Sequence, residues 1–251
     1  PIGHNILGTE EHLRSFTTAM TMDFYDRYYV PSNLVFFSWG KTDFKKVVRL
    51  AEKYFSNVGA STFVNKRIEP PHVAPLRHEL KRETSQAHAV IGARAYNLFD
   101  DKRRTLSLLN NILGGPGMNS RLNISLREKR GYVYNVESGI SAYTDAGVFS
   151  IYFGCDKRNS EKCITLVQKE LKKLREVKLT TSQLQAAKKQ YIGQIGVASA
   201  NAENVALALG KNILHFDYFS SLDEIKAKIE GVTAEQILES ANEILAENKL
   251  L

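Results

Sequence analysis

The sequence predicts an α+β fold, a mainly antiparallel sheet with helices packed on one face. Three observations predict it. Strand-like and helix-like runs cluster along the chain instead of alternating. Tyr143-Thr-Asp-Ala-Gly147, set between two β-rich runs, is a hairpin turn signature. Three capping boxes, Thr180–Gln183, Ser221–Glu224 and Thr233–Gln236, mark helix starts in a C-terminal part that is helical to its end.

In chain order, the aromatic-rich run from Asn33 to Trp39 reads as a short buried strand ended by Gly40. Thr42 or Asp43 then caps a helix whose apolar stripe is Phe44, Val47, Val48, Ala51, Tyr54 and Phe55, with Gly59 as its stop. Glu69-Pro-Pro-His-Val-Ala-Pro75 fits neither helix nor central strand and reads as an interdomain linker. Beyond it, Gln86 to Tyr96 alternates as a strand does, and Asp100 to Leu113 carries Leu106, Leu109 and Leu113 at helical spacing. Gly114-Gly-Pro-Gly117 breaks that helix. Asn119 or Ser120 caps the next, which runs to Arg130 and stops at Gly131. Tyr132–Ser141 and Val148–Gly154 form the hairpin strands, and a further helix starts near Asn159.

Composition removes several function classes. Of 251 residues, 43% are apolar and 24% charged, which is globular and not disordered. No apolar run approaches the ~18–20 residues of a membrane helix. Pro1 opens the sequence with neither Met nor signal-peptide pattern, which reads as a processed or truncated chain. The net charge of +7 comes from basic residues interleaved with acids, as in Glu170-Leu-Lys-Lys-Leu-Arg-Glu176, and no nucleic-acid-binding motif accompanies it. Cys155 and Cys163 form no CxxC and read as buried free thiols, which fit a reducing cytoplasm.

The six histidines, His4, His12, His72, His78, His88 and His215, include no pair at i, i+4. His78-Glu79 begins like a zinc-protease helix, but Arg82 stands where the second His belongs. The glycine turn lacks the Gly-Lys-Ser/Thr of a phosphate loop. It is either a plain helix-to-helix turn or a mobile loop whose bare backbone approaches a ligand. The segment from Ser120 to Val136 is the most informative. Its basic helix end, Arg127-Glu-Lys-Arg130, leads through Gly131 into a strand with Tyr132 and Tyr134, which the period of two places on one face. A guanidinium beside a phenol can hold a carbonyl oxygen or an oxyanion. The alternative is that the Arg solvates the helix end and the Tyr packs in the core.

These residues resemble a known family. Leu113-Gly-Gly, Ser120-Arg-Leu122, Leu126-Arg-Glu-Lys-Arg-Gly131 ending at Tyr134, and Asp145-Ala-Gly-Val-Phe149 are similar, in order and spacing, to the second half of M16 zinc metallopeptidases. That family includes pitrilysin, insulin-degrading enzyme and the mitochondrial processing peptidase. Pro1-Ile-Gly-His-Asn-Ile-Leu-Gly8 resembles the family segment after the zinc region, and Tyr29 to Gly40 the strand closing its first domain. Gly117 after Pro116, and Asn123 in place of the usual aromatic, are departures.

The resemblance implies two similar α+β domains around a chamber. The first holds zinc through an HxxEH motif and a later Glu, which lie upstream of the matching segment and are absent here. On this reading residues 1–65 are the end of the first domain, 66–80 the Pro-rich linker, and 81–251 the second, chamber-closing domain. The family's Arg and Tyr, seven positions apart, map onto Arg127 and Tyr134 as the pair that binds substrate backbone and steadies the oxyanion. Tyr132 falls where relatives carry an aliphatic residue. Gly114, Gly115, Gly117, Ser120 and Arg121 map onto the substrate-binding turn. Zinc is then a cofactor of the full-length protein alone, and the chain by itself binds no catalytic zinc and cleaves nothing. Expected partners are peptide substrates, the zinc-bearing half or an M16 partner subunit, and a second copy of the chain; nucleic acid and membrane are not. Non-catalytic M16-like subunits are the alternative. A partial first domain also exposes an edge and a helix face, so self-association or disorder is expected over residues 1–60.

Overall fold

A computed structural model describes residues 3–59, 67–71 and 74–250. Pro1, where the truncation reading rests, lies outside the described residues, as do His72 and Val73 of the Pro-rich stretch. The described residues group into two compact units. One takes those within Pro1–Lys66 and Ala198–Phe219; the other takes those within Arg67–Val197 and Ser220–Leu251.

The first unit is helical. Its helices are α1 (Glu10–Ser15), α2 (Thr18–Tyr28), α3 (Phe44–Phe55) and α7 (Ala202–Phe216). Side chains cap all four: Thr9, Thr17, Asp43 and Asn201 each accept from backbone N–H groups of the first turn. Asp43, not Thr42, caps α3. The expected strand from Asn33 to Trp39 is not one. Pro31–Asn33 is a short 3-10 turn, and residues 34–39 pair with no strand among the described residues. Extended backbone becomes a strand only when a neighbour completes its hydrogen-bond ladder. Nor is the run buried: Phe36 is 60% and Trp39 66% exposed. Phe36 lies against Phe55 of α3, at 5.7 Å between ring centres. The α3 stripe is likewise open, with Phe44, Tyr54 and Phe55 all exposed.

The second unit holds the core. Three antiparallel strands, β1 (Gln86–Ala95), β2 (Val133–Ala142) and β3 (Gly147–Asp156), lie in the order β1-β3-β2. Alternation along the central β3 turns Phe149, Ile151 and Phe153 inward, each essentially inaccessible. They meet Leu106, Leu109 and Leu113 of α4 (Arg103–Gly114), Val167 and Leu171 of α5 (Ser160–Glu176), and Ile237 and Ala241 of α9 (Ala234–Ile244). Helices α6 (Thr181–Ala198) and α8 (Leu222–Glu230) complete the set. All three capping boxes form as the spacing predicts. Cys155 and Cys163 are buried free thiols, as expected; burial raises both pKa values, that of Cys163 to about 12. No helix among the described residues is long and apolar enough to cross a membrane.

The Pro-rich stretch is irregular over its described residues and is tied to the sheet. Arg94 of β1 donates to Glu69 Oε1 at 2.9 Å and to the Pro70 carbonyl at 2.7 Å. Just past the same end of the strand, the Tyr96 hydroxyl donates to Glu243 of α9, and Lys102 bridges Glu239 and Glu243. This polar staple anchors α9 across the sheet end.

Candidate functional site

The segment from Gly114 to Tyr134 runs out of α4, through the glycine turn, into a short helix and then into β2. Glycine is required at 114 by packing. A Cβ there would sit 2.6 Å from Ser138 Oγ and 2.8 Å from Ser138 N on β2. Gly115 lies against Asn111, and Gly117 against Asn119 and Gln190. Gly114 and Gly115 are buried, so their backbone is packed against protein and not bare to solvent. Asn119 and Gln190 of α6 exchange two amide hydrogen bonds, both 2.8 Å, which latch the turn to that helix.

Neither proposed cap does the expected job. Asn119 is engaged by Gln190, and buried Ser120 accepts from the Asn123 side-chain amide at 3.0 Å. The helix that follows is α-helical only at Arg121 and Leu122. Asn123–Glu128 is π-helical, as the Lys129 N–H to Ile124 carbonyl bond at 3.1 Å shows, and no side chain caps it. A π turn inserts one residue and re-aims those around it, a device concentrated at functional sites. Leu122 and Leu126 anchor it in the core. Arg121 is half-buried; burial lowers its pKa, and the Glu170 carboxylate opposes that. Arg127 is exposed, and among the described residues no hydrogen bond or ion pair engages its guanidinium.

The exit from the π turn is tight. The Gly131 N–H donates to the Arg127 carbonyl at 2.7 Å, the Tyr132 N–H to the Leu126 carbonyl at 3.0 Å, and Gly131 itself takes φ +61°. A residue with a Cβ adopts that left-handed conformation only at a cost. Tyr132 and Tyr134 do not share a face. Tyr132 precedes the strand and packs on the core with Lys162 over its ring at 5.8 Å. The register of β2 slips between Val133 and Asn135, and this bulge turns Tyr134 out to 59% exposure. Its hydroxyl donates to Asp156 Oδ1, 3.1 Å away at the end of β3. That bond, with the carboxylate's charge, holds the phenol pKa above its ordinary value, while Arg158 pulls the other way.

The structure thus places Arg127 and Tyr134 at the two ends of one short connection, both open to solvent and both polar. Gly114, Gly115 and Ser120 are interior to the turn, with Gly117 and Arg121 partly accessible. Sequence reasoning missed Asp156 and Gln190. Counting outward from the hairpin turn brings Tyr134 level with the end of β3, so Asp156 was within reach of a register argument; nothing local points to Gln190. Among the described residues no group of three or more His, Cys, Asp or Glu could hold a metal ion, so the residues present do not fit zinc.

The chain is thus an α+β domain, an antiparallel sheet covered by helices, that presents an Arg and a Tyr to solvent from a π turn and a bulge. The chain belongs to the family described as the peptidase M16 inactive domain, whose model matches residues 15–191. It is 30% identical over 258 aligned residues to a Streptomyces coelicolor protein described as an uncharacterized zinc protease, covering 97% of this chain and 54% of that protein. It is 29% identical over 250 residues to Bacillus subtilis YmxG, described likewise, covering 100% of this chain and 60% of that protein. The chain therefore spans little more than half the length of these relatives. In structure it is similar to a peptidase M16 inactive domain from Pseudomonas fluorescens, with a TM-score of 0.86 at 24% identity, covering 97% of this chain and 58% of that one. A chain of Candida albicans complex III2 shares the fold at a TM-score of 0.84 and 16% identity, covering 100% of this chain and 61% of that one.

Proposed function

We propose that the chain is the substrate-contacting C-terminal half of a zinc-dependent metalloendopeptidase that hydrolyses peptides in a chamber between two domains. Residues 1–65 are then the end of the zinc-bearing domain, 66–80 the linker and 81–251 the second domain. The observation that carries this reading is that Arg127, whose guanidinium has no partner among the described residues, and the bulge-presented Tyr134 are both exposed on the segment that resembles the family's substrate-binding one. Arg127 donates to the substrate carbonyl oxygen and stabilises negative charge as it develops there; Tyr134 supplies a second donor. Gly117 and Arg121 line the substrate path, with Gly114, Gly115 and Ser120 shaping the turn that carries them. Zinc is held by the other half, and no step assigned to these residues passes through it. The exposed apolar residues of the first unit support a partner there: the zinc-bearing half, an M16 subunit or a second copy. The assembly acts in the cytoplasm, on peptides, and not on nucleic acid or at a membrane.

The test joins the chain to its HxxEH-bearing half. Peptide hydrolysis should appear, disappear with chelator, and lose roughly 10²-fold in kcat with Arg127→Ala, the scale of a lost oxyanion donor. Stoichiometric zinc in the chain alone, or an unchanged kcat in both Arg127→Ala and Tyr134→Phe, overturns the reading. The family description as an inactive domain favours a second reading, a non-catalytic partner or scaffold subunit. The coding sequence upstream of Pro1 separates them: HxxEH with a later Glu means peptidase, and its absence means partner.

A further inference from the structure

We propose that Asp156 is the positioning residue for Tyr134: it fixes the direction of the phenol hydroxyl and keeps it a donor for substrate. This rests on the peptidase reading of the site. The bulge at Val133/Asn135 leaves Tyr134 59% exposed, so packing alone does not restrain it. The restraint is the 3.1 Å hydrogen bond from its hydroxyl to Asp156 Oδ1. The carboxylate is held in turn, with Oδ2 3.5 Å from the Arg158 guanidinium. One oxygen aims the phenol and the other faces a cation, so the carboxylate cannot swing without losing a partner.

The surroundings explain why an acid is needed. The cation that bears on the phenol is Arg158, which follows the strand. Cations favour the phenolate, and a phenolate has no proton to give a carbonyl oxygen. Three groups bear on the phenol. Asp156 raises its pKa through the hydrogen bond and its charge, with burial adding to this; Arg158 lowers it, and Cys155 raises it slightly. The balance keeps the hydroxyl neutral into the alkaline range. When a substrate oxygen arrives, the O–H turns from Oδ1 to that oxygen. The carboxylate stays charged throughout, and no bond to carbon forms or breaks.

The experiment has two arms. In the full chain labelled with Cζ-¹³C tyrosine, the Tyr134 resonance, assigned through Tyr134→Phe, should titrate above the ordinary phenol value of about 10, and Asp156→Asn should bring it back there. In the chain joined to its zinc-bearing half, Asp156→Ala should lower kcat by about tenfold with little change in KM, a loss of positioning and not of binding. It should also move the alkaline limb of the pH profile down. Added to Tyr134→Phe, it should cost nothing further, since it acts through that hydroxyl. A Tyr134 titration untouched by Asp156→Asn, or losses that multiply in the double variant, overturns the proposal. If Tyr134→Phe itself leaves kcat unchanged while Asp156→Asn still shifts the titration, the catalytic reading of Tyr134 has failed and the contact has not.

Discussion

In the first unit, four helices carry side-chain caps, yet none of the four buries a residue. In the second, α4 and α5 have no side-chain cap, yet α4 alone buries Leu106, Leu108, Leu109 and Leu113. Among the described residues of the first unit, Val30 is the buried hydrophobic one. The contrast separates two contributions that sequence reading tends to merge. A cap decides where a helix starts and is worth about 1 kcal/mol. A facing layer decides whether the helix is held, because isolated helices of this length are marginal in water and are stabilised chiefly by packing an apolar face. The stripe on α3 is as regular as that on α4, but among the described residues no layer buries it.

Truncation of a core side chain should show the contrast most strongly. Phe153→Ala on β3 should destabilise the main unfolding transition by roughly 3–5 kcal/mol, the range for a buried Phe. Phe36→Ala, equally aromatic but exposed, should leave that transition where it is. Denaturant titration followed by circular dichroism compares the two, and equal midpoint shifts would break the distinction.

Matched cap substitutions come next. Thr233→Ala removes a capping box at the start of α9, which packs in the core, and should cost about 1 kcal/mol in the same transition. Asp43→Ala removes the equivalent bond on α3 and should change only local helicity. Amide exchange resolves the two: α3 should exchange fast in either form, and slow protection of α3 in the chain alone would count against an unpartnered first unit.

A last contrast is a pH dependence placed in the second unit, seen only in alkali. Burial, helped by the hydrogen bond to Glu243, pushes the Tyr96 phenol up to about 12. In the unfolded chain it titrates near 10. The folded form therefore keeps a proton that the unfolded form loses. This contribution to stability is complete below about pH 10 and disappears as pH rises toward 12. Tyr96→Phe should flatten the stability profile across that window relative to wild type. A wild-type slope retained in the variant would assign the alkaline loss to other groups.

Much of the second unit was legible because its signals are local. Hydroxyl and amide three residues apart announce a capping box, Leu106, Leu109 and Leu113 share a helix face by spacing alone, and Tyr143–Gly147 closes a hairpin without outside help. The strand expected from Asn33 to Trp39 was misread for the complementary reason: its composition is right, but a strand is a property of two segments. Tyr132 and Tyr134 were misplaced because a period of two assumes an unbroken ladder, and the bulge breaks it between them. The substrate-contacting segment was found through its motif, whereas Asp156 and Gln190, its partners in space, were not.

By itself the sequence determined the strands of the sheet, the apolar face of α4, the three capping-box helix starts and the hairpin, along with the family. Each of these depends on residues within a turn or two of one another. The tertiary structure alone decided which apolar stripes are covered, that the turn after α4 is latched to α6, that the helix before β2 widens into a π turn, and that Tyr134 leans on Asp156. These depend on register and on contact between distant segments. A one-residue slip there changes every neighbour, and no local spacing records it.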